Sequence, residues 1–143
     1  LGMARYFMMR GHTVTICGQS PRSVYKAVQA LKDEYAGIQV FGYVCDVSDY
    51  SQVQALWTSA YDAVGKVDIW INNAGISHPR KMAWDLPVET INAVVDVNLL
   101  GIIYGTKVAM AGMLEQGFGQ IYNMEGFGSD GRKHRSLHGA EGS

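Results

Sequence analysis

Only two cysteines, Cys17 and Cys45, stand among the 143 residues. Two thiols cannot build a disulfide framework, and they suit a reducing compartment. Just 3 prolines accompany 17 glycines, which excludes a Pro-rich spacer and a collagen-like chain. The net charge is −1, from 12 Lys and Arg against 13 Asp and Glu. That balance gives no electrostatic basis for binding nucleic acid or an anionic membrane surface. No uninterrupted apolar run of about 18 residues is expected to span a membrane. What is abundant is glycine, at 17 of 143 residues against a usual share of ~7%. The length suits one domain with a single core.

Apolar spacing divides the chain into alternating elements. Residues 1–10 read as the end of a helix, apolar at Met3 and Phe7, with Gly11 as its terminator. The β-branched run 12–17 predicts a strand. Ser20-Pro21 then reads as an N-cap and a first-turn proline. The helix it opens carries Val24, Val28, Leu31 and Tyr35 as far as Gly37. Residues 39–45 predict a second strand. Ser48 or Asp49 caps a helix with Val53, Leu56, Ala60 and Val64 on one face, and Gly65 ends it. The near-continuous apolar run 67–72 predicts a strand buried on both faces. Pro87 opens a long helix bearing Ile91, Val94, Val95, Leu99 and Ile102, running to about Met113. A Gly-x-Gly turn leads to a fourth strand, 120–124. Strict alternation with short connections predicts an α/β fold with a doubly wound parallel sheet. Ligands of such sheets bind at the C-terminal edge of the strands. Residues 132–143 lack period and apolar content and read as an irregular tail.

Four features stand at that edge or beside it. Asp46-Val47 closes the second strand, and Asn72-Asn73-Ala74-Gly75 closes the third. Small residues there expose backbone to a flat ligand, and Gly75 permits dihedrals that other residues avoid. Asn98 sits within the long helix, where asparagine is a weak choice on propensity. A partly buried amide needs a partner. The fourth strand ends near Asn123.

This ordered set resembles the short-chain dehydrogenase/reductase family over about residues 1–131. The resemblance implies an incomplete Rossmann-like, NAD(P)-binding domain at 1–131. Asp46 and Val47 would hold the adenine ring. Asn73, Ala74 and Gly75 would line the cofactor, and Gly2 would end a Gly-rich phosphate turn. Asn98 would be one of a catalytic tetrad, positioning a water in a proton relay. The family also dimerises through the long helix, here 87–113, as a homodimer or tetramer. Gly101, Gly105 and Gly112 would allow close approach there. Within the family, the stretch 67–75 and the stretch Asn123–Arg132 are similar to chlorophyll(ide) b reductases. That implies reduction of a carbonyl, the 7-formyl of a chlorin, to an alcohol. It also implies a cytoplasmic setting, or a plastid one in a photosynthetic eukaryote.

NAD-dependent members place an acid after the first βα unit's second strand to bind ribose hydroxyls. Residues Cys17–Arg22 hold no acid, so NADP(H) is favoured over NAD(H), with Gln19, Ser20 and Arg22 as candidate contacts. The family's Tyr-x-x-x-Lys is not present in the sequence. Gly126 stands where most members have the tetrad serine, and Ser129 is the candidate for that part. The family's first strand is expected before Leu1 and its Tyr-Lys helix after Gly131, where residues 133–143 do not carry the motif. A non-catalytic nucleotide-binding or dimerising module of the same fold is the alternative. A doubly wound domain of another family is a third reading, without a phosphate loop to support it.

Overall fold

The computed structural model describes residues 1–124. Ser129 and the tail 132–143 lie outside the described residues. The elements are α1 (Gly2–Met8), β1 (Val14–Gly18), α2 (Pro21–Glu34), β2 (Val40–Val44), α3 (Tyr50–Val64), β3 (Ile69–Asn72), α4 (Val88–Val95), α5 (Gly101–Gln116) and β4 (Gln120–Asn123). A single π-helical turn, Asp96–Leu100, joins α4 to α5. The expected alternation is therefore present, and the α/β class with it.

Local chemistry explains the boundaries. Gly11, Gly37, Gly65 and Gly117 all adopt positive φ, between 83° and 88°, where a Cβ would clash with its own backbone. Asp49, rather than Ser48, caps α3, its carboxylate accepting from the amides of Ser51 and Gln52. Ser20 Oγ accepts from the Ser23 amide at 3.3 Å to start α2. In α1 the fully buried pair is Ala4 and Met8, so Met3 and Phe7 flank the contact face rather than centre it. A bidentate pair from Arg5 to Glu34, both contacts 2.7 Å, ties α1 to α2.

β1 pairs with β2 in parallel, and β3 with β4. Among the described residues these are two separate two-stranded sheets. One face of β1–β2 is covered by α1 and α2, through Ala4, Met8, Leu31 and Val40. The opposite face meets α3 and α5, through Cys45, Val53, Leu56 and Val108. β3 departs from its expected burial on both faces. Its Trp70 and Asn72 meet α5, but Ile69 is exposed, because α5 covers only one side of this pair.

Helix α5 joins the two sheets, and three glycines let it approach. A Cβ on Gly101 would lie 2.8 Å from Val47 Cγ2, and one on Gly105 would overlap the Asn72 amide. One on Gly112 would overlap the Trp57 ring. All three therefore face the chain's own interior. This corrects their reading as seats for a partner helix. The solvent side carries Ile91, Val95, Leu99, Ile103, Met110 and Leu114, all exposed. The continuous helix 88–116 is also long and apolar enough, by length and composition, to cross a membrane. The isolated charges Asp96 and Lys107 break a run without making the segment polar.

Candidate functional site

The C-terminal ends of β1, β2 and β3 carry the candidate residues. Asp46 follows β2 and is held on several sides. Its Oδ1 accepts from the Ser48 amide at 2.9 Å and the Ser48 hydroxyl at 2.6 Å. Its own amide donates to Gln52 Oε1 at 2.9 Å. Gln52 Nε2 in turn donates to Asp49 Oδ2 at 3.0 Å. The Ser48 hydroxyl, then its amide, holds Asp46 below the usual carboxylate range, with a smaller contribution from Gln19. Asp46 is therefore ionised at neutral pH. Cys45 is buried while Cys17 is exposed, and both are free thiols. The neighbouring Cys45 holds the Cys17 pKa below the usual thiol value, and Cys17 together with burial raises that of Cys45.

A pH prediction follows from Asp46. Its folded-state pKa is depressed. Its contribution to stability is complete above the unfolded value of about 3.9 and is lost as pH falls through the lower folded value. Ser48→Ala should return the Asp46 titration toward the ordinary carboxylate value. An NMR titration of the carboxyl carbon that leaves it unmoved would contradict this assignment.

At β3, Asn72 is the knot between strand, helix and neighbouring strand. Its Oδ1 accepts from Trp70 Nε1 at 2.8 Å. Its Nδ2 donates to Asn123 Oδ1 at 2.8 Å and Thr106 Oγ1 at 3.1 Å. Asn73, Ala74 and Gly75 follow it, exposed at the sheet edge. Gly75 is not among the positive-φ glycines, so it does not use the dihedral freedom expected of it. A Cβ there would sit 3.6 Å from Asn98 Oδ1, an ordinary van der Waals contact, so packing among the described residues does not call for glycine either.

Asn98 occupies the π-helical turn, a feature that clusters at functional sites. Its amide closes a two-point clamp on the residue after Gly75. Oδ1 accepts from the Ile76 amide at 2.8 Å, and Nδ2 donates to the Ile76 carbonyl at 2.8 Å. The polar side chain in mid-helix is thus satisfied by backbone 22 residues away. Gly2 opens α1, and a Cβ there would meet nothing within 4 Å. Arg22 is exposed at the start of α2, and Ser20 is engaged as the helix cap. Ser48 is expected only as a possible helix cap and not as the partner of Asp46, and Gln52 and Thr106 carry no expectation from sequence. The Asp-x-Ser spacing of an Asx-turn signals Ser48. The Asp-x-x-Gln spacing of a helix start signals Gln52.

The short chain dehydrogenase family matches residues 1–140. The chain belongs to the short-chain dehydrogenase/reductase family. It is 38% identical over 132 residues to a chloroplastic chlorophyll(ide) b reductase of Oryza sativa subsp. japonica. It is 39% identical over 132 residues to the Arabidopsis thaliana protein of the same description. Each alignment takes in 91% of this chain and 38% of the relative. An actinorhodin polyketide ketoreductase with NADPH superposes with a TM-score of 0.79 at 31% identity, over 87% of this chain and 48% of that one. Serine dehydrogenase in its closed form with NADP+ gives 0.76 at 26% identity, over 90% of this chain and 50% of that one. The chain thus spans about half of the solved relatives and less of the curated ones. The family uses NAD(P) on a Rossmann-like fold.

Proposed function

We infer that this chain supplies part of the coenzyme site of an NADP(H)-dependent reductase that converts an aldehyde on a chlorin ring to an alcohol. The observation that carries the substrate is the 38% and 39% identity to two chlorophyll(ide) b reductases, each over 91% of this chain. The geometry is compatible with the coenzyme. Asp46 keeps Oδ1 on Ser48, which leaves its second oxygen to accept from the adenine amino group, beside Val47. Asn73, Ala74 and Gly75 present backbone along the path toward the nicotinamide. Gln19, Ser20 and Arg22, with no acid among residues 17–22, favour a 2′-phosphate over bare ribose hydroxyls. When bound, NADPH would supply a hydride to the carbonyl carbon, and the alkoxide would take its proton from the tyrosine of the family's Tyr-x-x-x-Lys, which these 143 residues do not include. Asn98 holds the segment after Gly75 in place, and Ser129 is the candidate hydrogen-bond donor that polarises the carbonyl oxygen.

The same likeness to chloroplastic relatives carries the proposal of a plastid setting. A homodimer through the exposed apolar side of helix 88–116 is part of the same proposal. The test is coenzyme oxidation by the full-length protein that carries this chain. Chlorophyllide b should drive NADPH oxidation and yield the 7-hydroxymethyl product, whereas its 7-methyl counterpart should not. NADPH binding without turnover of the aldehyde would remove the chlorin substrate and keep the coenzyme.

A further inference from the structure

We propose that Gly101 is a positioning residue that fixes the spacing between the adenine end and the reacting end of the coenzyme site. The proposal rests on the coenzyme reading above. Gly101 is buried and helical, with φ −56° and ψ −41°. Any residue adopts that conformation, so the backbone does not call for glycine. What calls for it is Val47. A Cβ at position 101 would lie 2.8 Å from Val47 Cγ2, 3.3 Å from its Cβ and 3.6 Å from its carbonyl oxygen. Carbon atoms pack at about 3.5–4.0 Å, so a methyl group must push one side away.

Neither side is free to yield alone. Val47 lies between Asp46 and Ser48, whose hydrogen bonds at 2.6 Å and 2.9 Å define the turn that presents Asp46. Gln52 holds the Asp46 amide from the first turn of α3. On the helix side, Gly101 directly follows the π-helical turn Asp96–Leu100. Asn98 is three residues earlier, inside that turn. Asn98 grips Ile76 at both backbone groups. One glycine contact thus sets the distance from the Asp46 turn to the Asn98 turn. A side chain at 101 shifts both ends of the site together.

The experiment compares Gly101→Ala, Val47→Ala and the double variant in the full-length protein. The readouts are the affinity for 2′,5′-ADP, as a probe of the adenosine end, and kcat with NADPH. Gly101→Ala should weaken 2′,5′-ADP by about tenfold and lower kcat, the scale of a methyl forced into a packed contact. Val47→Ala removes the atom at 2.8 Å. The double variant should therefore regain affinity and kcat to near those of Val47→Ala alone. A role confined to stability would lower the melting temperature and leave the affinity of the folded protein unchanged, which would overturn the proposal. So would a double variant no better than Gly101→Ala. Absence of 2′,5′-ADP and NADPH binding by the wild type would instead overturn the coenzyme reading, and this inference with it.

Discussion

Gly105→Ala is expected to destabilise the protein by about 3 kcal/mol, the sum of an overpacked contact and a disturbed polar network. The added methyl overlaps Asn72 Oδ1, with Asn72 Cγ at 3.0 Å and Trp70 Nε1 at 3.1 Å. These are not the far ends of flexible chains. Asn72 is held by Trp70, Thr106 and Asn123 at once. Displacing it loosens β3 from β4 and from α5 in one step, and α5 is the element that spans the two sheets. Gly2→Ala is the matched control, since a Cβ there meets nothing within 4 Å. Its effect should stay within about 1 kcal/mol, the range of helix propensity. Chemical denaturation of the full-length protein reads both. Equal effects at the two positions would contradict the close-packed seam.

Asn98→Ala is expected to lower kcat about a hundredfold or more, the scale of losing a group that fixes reacting geometry. Truncation releases the Ile76 amide and carbonyl together, each held at 2.8 Å. It also frees the segment that follows Gly75. The proposed adenosine site is at Asp46, which makes no hydrogen bond to Asn98, so the affinity for 2′,5′-ADP should change far less than kcat. Asn98→Asp keeps the acceptor for the Ile76 amide and loses the donor to its carbonyl, so it should fall between the two. Its remaining activity should also show a changed pH profile. A kcat for Asn98→Ala within about threefold of wild type would remove Asn98 from the proton-handling step.

Much of the architecture was legible because its signals are local. A glycine at a helix end has few other uses, and Gly11, Gly37 and Gly65 mark chain reversals by positive φ. Asp49 and Ser20 cap helices because their side chains reach amides two or three residues on. The partner of Asn98 was not legible. A mid-helix amide announces that it needs one, but Ile76 is 22 residues away and comes near only when β3 packs on the helix. The glycines of α5 show the same boundary. Their spacing announces close approach and does not say to what. The neighbours are Val47 in the loop after β2, Asn72 in β3 and Trp57 in α3. The apolar stripe from Ile91 to Leu114 reads as core by period alone, yet it faces solvent. The glycine seam takes the inner face instead, so burial there follows backbone approach rather than side-chain size.

On the proposed reading, the strand ends at Asp46 and at Asn73–Gly75 form one coenzyme site, with Asn98 at its reacting end. A crystal structure of the full-length protein with NADP(H) decides it. The adenine ring should lie against Val47, with its amino group on Asp46. The 2′-phosphate should lie near Ser20 and Arg22, and the nicotinamide beyond Gly75 on the side of Asn98. A dinucleotide bound elsewhere, or bound with its adenine away from Asp46, would contradict it.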